Sequence, residues 1–193
     1  YALTHENGKM GKTEMWYVID AKPGASVIHG FRERYGKDRI IKSILDGRHD
    51  GLYRNIKVKK GDVLFVKPGT VHGLGEGIVV AEIQQHSDLT YRLYDYDRTD
   101  SSGNKRPLHI DKAMDVLEYE NYRALYKGLT YHNGEICTRY LAINKYFCVK
   151  QVEGKGVPVK YTTDGLFTVY MFLEGEAEII SNINEEIASS VNK

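Results

Sequence analysis

The sequence predicts a mainly β protein: two β units of sandwich or barrel type joined by a helix, the second incomplete. Three observations carry the β reading. Short runs are rich in β-branched and aromatic residues, Gly and Pro turn formers separate them, and a single longer stretch near the middle has helical periodicity. Residues 15–21 (Met-Trp-Tyr-Val-Ile-Asp-Ala) form the first predicted strand, closed by the turn Lys22-Pro23-Gly24, and 26–30 form a second. Between 32 and 50, Ile40, Ile41, Ile44 and Leu45 recur at helical spacing among charged residues, which predicts a short amphipathic helix. Strands are then predicted at 55–58, 62–66, 77–84 and 89–95. In 112–126, Ala113, Met114, Val116, Leu117, Tyr122, Leu125 and Tyr126 make the best helix candidate in the chain. Strands resume at 137–144, 147–152, 167–173 and 177–181. The implied division is a β domain at 1–107, a helical linker at 108–127 and a second, partial β domain at 128–193.

Composition excludes several function classes. A chain of 193 residues can bury a proper core in one large or two small domains. A formal charge of +1, with acids and bases interspersed, gives no field for nucleic acid or an acidic membrane surface, though a small basic pocket for phosphate remains compatible with it. No run approaches the roughly 20 apolar residues of a membrane span, and residues 1–12 hold no apolar core of the signal-peptide kind. Two cysteines, Cys137 and Cys148, are too few for a disulfide framework. Both lie in apolar, strand-like surroundings and read as buried free thiols in a reducing compartment, with cytoplasm the expected location. With no initiator methionine and no closing element after 185, the chain reads as truncated at both ends.

The densest chemical signal is 61–72, Gly-Asp-Val-Leu-Phe-Val-Lys-Pro-Gly-Thr-Val-His. It reads as a turn, a buried strand, a tight Pro-Gly turn, and a histidine just beyond. Strand, turn and strand would hold the His72 imidazole in a fixed direction, which suits ligation of zinc, iron, nickel or copper. Spacing alone leaves open a partly exposed turn histidine with no ligand. Tyr91, Tyr94 and Tyr96 read as core packing on a half-buried strand, not as a stacking platform. His109 and His132 carry no ligand spacing and read as structural.

Four strings now narrow the reading: Gly11-Lys12-Thr13-Glu14-Met15-Trp16-Tyr17; Gly69-Thr70-Val71-His72-Gly73-Leu74-Gly75; 82–98, beginning Glu82-Ile83-Gln84-Gln85 and containing Tyr91-Arg92-Leu93; and Leu108-His109-Ile110-Asp111-Lys112-Ala113. In this order, and over nearly the whole chain, they resemble the short bacterial form of the type I mannose-6-phosphate isomerases, members of the cupin superfamily. The resemblance implies a cytoplasmic, monomeric enzyme that interconverts mannose 6-phosphate and fructose 6-phosphate through a zinc-assisted cis-enediol route, with a sugar phosphate as its partner and neither nucleic acid nor membrane.

The family's single zinc is held by a Gln-x-His pair, a glutamate and a later histidine. Glu14 matches the glutamate and His72 the later histidine; the pair would lie upstream of Tyr1. Two ligands of four hold zinc weakly, so these 193 residues alone are expected to be inactive. His5, His29 and His86 lack the Gln-x-His context. Arg92 matches an active-site arginine able to grip a phosphate or an enediolate, Lys12 matches a lysine at the pocket mouth, and Glu82 matches an acid that is one candidate for the base. Lys12, Arg92 and Glu82 are thus the expected catalytic set, with Lys12 and Arg92 on the substrate. Read without the resemblance, Arg92 is a surface ion pair with Asp88 or Asp95. The alternative function is a non-catalytic cupin that binds sugar or regulates. Other cupin enzymes usually carry His-x-His and a glutamate ahead of such a motif, and nothing between Gly24 and Gly61 has that form.

Overall fold

A computed structural model of the chain describes residues 1–48, 51–119, 124–160 and 165–180. Two compact units are present, Tyr1–Pro158 and Val159–Lys193. The first contains α1 (Ala2–His5), β1 (Glu14–Ala21), β2 (Ser26–Phe31), α2 (Lys37–Leu45), β3 (Tyr53–Lys57), β4 (Val63–Val66), β5 (His72–Leu74), β6 (Ile78–Gln84), α3 (Ile110–Val116), β7 (Leu125–Tyr126), β8 (Leu129–Asn133), β9 (Ile136–Ile143) and β10 (Cys148–Glu153). The mainly β prediction holds. No helix among the described residues is long and apolar enough to cross a membrane.

Three antiparallel sheets build the unit, in strand orders β6-β1-β4-β7, β3-β2-β5 and β10-β9-β8. Strand β1 is central because both its faces are covered, so Glu14 to Val18 are all buried, with none of the alternation of a half-exposed strand. Its even face carries Trp16 and Val18, which pack with Val27 of β2 and Leu64 of β4. Its odd face carries Met15 and Tyr17, which pack with Val63, Ala81 and Leu141 of β9. A third cluster joins Ile40 and Ile44 of α2 and Ala113 and Met114 of α3 to Phe31 and Tyr53. Both short helices therefore close one end of the sandwich, each through a single apolar stripe.

Four sequence expectations change. Residues 89–95 form no strand. Tyr91 sends its hydroxyl to Glu6, Asp95 is taken by arginine side chains, and the next two residues, Tyr96 and Asp97, both have φ +53°, which no ladder accommodates. Tyr94 is half-buried and Tyr96 exposed, so these rings are not the core face of a strand.

The helix predicted over 112–126 is α3, Ile110–Val116, and no longer. Leu125 and Tyr126 belong to β7, paired with Leu64 and Val63; Tyr122 lies outside the described residues. In the second unit, 167–173 and 177–180 form no strand, and Phe167 is 92 % exposed. An apolar run becomes a strand only where a ladder partner takes up its backbone N–H and C=O groups, and no described strand pairs with these residues. Residues 181 and 185–193 lie outside the described set. Finally, both cysteines are free, but Cys137 is only half-buried and Cys148 is exposed.

Candidate active site

Antiparallel pairing builds the site. Residues two apart on a strand share a face, so Lys12 and Glu14 lead onto β1 pointing the same way as Trp16. On β6, Glu82 and Gln84 share a face, and the register sets Glu82 opposite Trp16 and Gln84 opposite Glu14. Strand β5 enters from the facing sheet with His72 paired to His29 of β2. Its approach is fixed by the turn before it, where Gly69 adopts φ +83° and its carbonyl accepts the N–H of Glu118 at 2.8 Å.

At the centre Glu14 is 1 % exposed. Lys12 Nζ lies 2.9 Å from its Oε1 and also donates to Gln84 Oε1 at 3.1 Å. His72 Nε2 lies 3.4 Å from Glu14 Oε2. Glu14 Oε2 is buried and has no hydrogen-bond donor of good geometry. His72 Nδ1 sits 2.8 Å from the Thr70 carbonyl oxygen. That oxygen can only accept, so Nδ1 carries the proton. A neutral His72 then turns its Nε2 lone pair towards the lone pairs of Glu14 Oε2, and a cation between them, a proton or a metal ion, resolves the conflict. The indole of Trp16 meets the His72 ring edge-on at a centroid distance of 5.4 Å.

Electrostatics follow from this crowding. Burial acts to raise the Glu14 pKa, but hydrogen bonding and charge from His72, with Lys12 and Glu82 adding to them, outweigh it and hold the group at about 2. Burial acts to lower His72, and its hydrogen bond and charge interaction with Glu14 raise it above the usual imidazole value. Glu82 is raised, first by burial and then by the neighbouring Glu14 carboxylate; Trp16 and Lys12 act the other way. Two neighbouring carboxyl groups do not both ionise easily, and Glu82 is the one of the pair that holds its proton more strongly.

Four of the sequence-predicted residues, Lys12, Glu14, His72 and Glu82, are thus brought together. Arg92 is not in contact with them. It lies in the loop after β6, with Nε 3.9 Å from Asp95 Oδ1 and Nη1 donating to the Pro107 carbonyl at 3.1 Å. Gln84 and Trp16 were missed by sequence reading. Their signal was available in the i, i+2 spacing of Glu82 with Gln84 and of Glu14 with Trp16 on neighbouring strands. His29, also buried, is tied by its own contacts: Nε2 lies 3.1 Å from the Phe65 carbonyl, and Arg54 Nη2 lies 3.1 Å from Nδ1. Among the described residues no set of three His, Cys, Asp or Glu side chains is placed to hold a metal ion.

No family model matches the chain. It is 40 % identical over 184 residues to the mannose-6-phosphate isomerase ManA of Bacillus subtilis (strain 168), across 94 % of this chain and 57 % of that protein. It is 50 % identical over 117 residues to the mannose-6-phosphate isomerase of Streptococcus mutans, covering 61 % of this chain and 36 % of that protein. The matches therefore span from about a third to little more than half the length of these curated relatives. In three dimensions it is similar to the crystal structure of the mannose 6-phosphate isomerase from Bacillus subtilis, with a TM-score of 0.74, 40 % identity, and coverage of 81 % of this chain and 49 % of that one. A putative mannosephosphate isomerase from Archaeoglobus fulgidus, at TM-score 0.51 and 17 % identity over 72 % of this chain and 43 % of that one, shares the fold alone. Likeness at 40 % identity, in sequence over 94 % of the chain and in backbone over 81 % of it, agrees with the mainly β, cupin-like architecture: the chain is similar over nearly its whole sequence to about half of a mannose-6-phosphate isomerase.

Proposed function

We propose that the protein carrying this chain interconverts mannose 6-phosphate and fructose 6-phosphate, and that these residues supply about half of its active site. The observation that carries the reading is the buried Glu14 Oε2, without a hydrogen-bond donor of good geometry and 3.4 Å from Nε2 of His72. A carboxylate oxygen and an imidazole nitrogen, the latter oriented by a backbone carbonyl on its other side, are the donor types of a catalytic zinc site. The residues present therefore fit half of a zinc ligand set, with Glu14 and His72 as ligands. A Gln-x-His pair outside these 193 residues would complete it, and the 193 residues alone would hold metal weakly and be inactive. Bound zinc would act as a Lewis acid, polarising sugar oxygens.

The chain's own side chains do the rest. Aldose–ketose interconversion moves a hydrogen between C1 and C2 through a cis-enediol, and so needs a group that both takes and returns a proton. Glu82 is the candidate, because burial and the neighbouring Glu14 carboxylate raise its pKa above the usual carboxylate value and make it a better proton acceptor. Lys12, held between Glu14 and Gln84, puts a positive charge at the mouth of the site. Arg92 is the residue proposed to meet the phosphate or the developing oxyanion. No observation favours a non-catalytic sugar-binding role. The experiment is conversion of mannose 6-phosphate by the full-length protein, with and without exhaustive chelation and with zinc added back. Turnover that stops on chelation and returns with zinc is expected; undiminished turnover without metal would defeat the reading.

A further inference from the structure

Asp95 stands three residues beyond Arg92 and is 8 % exposed. Three guanidinium groups converge on its carboxylate. Arg98 Nη2 donates to Oδ1 at 2.7 Å, Arg106 Nε donates to Oδ2 at 2.7 Å while its Nη2 donates to Oδ1, and Arg92 Nε stands 3.9 Å from Oδ1. The far side of the Arg92 guanidinium is fixed by Nη1 on the Pro107 carbonyl. Its backbone is closed as well: the Arg92 N–H donates to His109 Nδ1 at 3.1 Å, and the His109 N–H donates to the Arg92 carbonyl at 2.7 Å. One carboxylate therefore ties residues 92 and 98 to residue 106, across the loop between β6 and α3.

The turn that follows is strained. Tyr96 and Asp97 both sit at φ +53°, a conformation that non-glycine residues keep only where the surroundings over-determine it. What that turn achieves is visible in Tyr96, whose hydroxyl donates to the Leu74 carbonyl at 3.1 Å. Leu74 lies on β5, the strand that opens with His72. An unbroken chain of contacts thus runs from Arg92 through Asp95 and Tyr96 to the strand of His72. Three guanidinium charges around one carboxylate also leave two positive charges unmatched there, equal and opposite to a phosphate monoester dianion.

We propose that Asp95 is a positioning residue for the isomerase site: its carboxylate gathers Arg98, Arg106 and Arg92 and fixes where the Arg92 guanidinium points, and the strained turn it opens anchors that loop to the strand of His72. The inference rests on the reading of Arg92 as the group that meets the substrate's negative charge. Without the carboxylate the guanidiniums repel one another, and Arg92 loses its fixed direction while keeping its own charge.

A double-mutant cycle in the full-length protein tests this, measuring kcat and KM for mannose 6-phosphate. Asp95→Asn is expected to lower kcat/KM about 10–100-fold, the scale of a misplaced catalytic contact. If Asp95 acts through Arg92, the double variant Asp95→Asn, Arg92→Lys falls no further than Arg92→Lys alone, and Asp95→Glu recovers part of the loss. Penalties that multiply independently would overturn the proposal, because a purely structural loss does not depend on which side chain stands at 92. Should Asp95→Asn fail to fold, Arg98→Gln, at a side chain 62 % exposed, disturbs the same carboxylate and goes through the same cycle with the same two outcomes. A wild-type protein without turnover would instead remove the isomerase reading, an outcome distinct from an active enzyme with an additive cycle.

Discussion

His72 and Glu14 face each other across two sheets, Nε2 to Oε2 at 3.4 Å, and the only proton that the neutral imidazole carries is committed to the carbonyl of Thr70. A buried carboxylate at the centre of a β sandwich is costly unless it is paired. Here Lys12 pairs one oxygen, and the other waits for a cation. A proton on His72, whose pKa Glu14 raises, or a metal ion meets that need; we propose that in the complete protein it is the metal.

Replacing Glu14 by Gln tests the coupling directly. With the carboxylate gone, burial and the Lys12 charge lower His72 against the Thr70 carbonyl alone, and its pKa is expected to fall. NMR titration of the imidazole in the metal-free chain reads this; a His72 pKa that stays raised in Glu14→Gln would show that another group holds the proton.

The same pair sets a pH dependence. Glu14 has a folded pKa of about 2 against an ordinary 4.5, so its contribution is present above 4.5 and is lost as pH falls through about 2. His72 is raised above 6.5, so its contribution is complete below 6.5 and is lost as pH rises through its folded value. Metal-free chain is therefore expected to be most stable between about 4.5 and 6.5 where these two groups are concerned. Metal affinity should run the other way across neutral pH, rising as His72 releases its proton. Urea unfolding against pH, compared with His72→Gln, isolates the pair.

Gly69 is predicted to be irreplaceable. It sits at φ +83°, and a Cβ there would lie 2.3 Å from the carbonyl oxygen of Val116, which is backbone and cannot swing away. Gly69→Ala should cost about 2–3 kcal/mol in chemical denaturation and displace the turn that delivers His72.

The core makes a sharper contrast. Leu64 is fully buried against Trp16 and Val18, and Leu64→Ala should cost about 2–5 kcal/mol. Leu129, 72 % exposed on β8, should cost within about 0.5 kcal/mol on the same change.

Much of the first unit was legible because its strands state their burial in their composition. The run from Met15 to Val18 is apolar throughout because both faces of β1 are covered, and 61–72 reads as strand, turn and histidine because Gly61 and Gly69 mark its ends. The loop after β6 was not legible. Tyr91, Leu93 and Tyr94 have strand propensity, yet their surroundings are set by side chains remote in sequence: Glu6 for Tyr91, and Arg106 for the neighbouring Asp95. Leu125 and Tyr126 fell on a helical period by coincidence, and only the β4 backbone opposite them makes them a strand. In the site, Lys12 and Glu14 came from the family resemblance, with alternation setting them on one face; the same i, i+2 alternation offered Trp16 and Gln84, but only the register between β1 and β6 sets the two pairs side by side.

The central claim is that Glu14 and His72 are two ligands of one metal ion in the complete protein. Metal content of the full-length protein after dialysis, measured by plasma emission spectrometry beside Glu14→Gln and His72→Gln, tests it most directly. One zinc per chain in the wild type, lost or sharply depleted in both variants while they stay folded, is the predicted result; a full equivalent of tightly held zinc in either variant would contradict it.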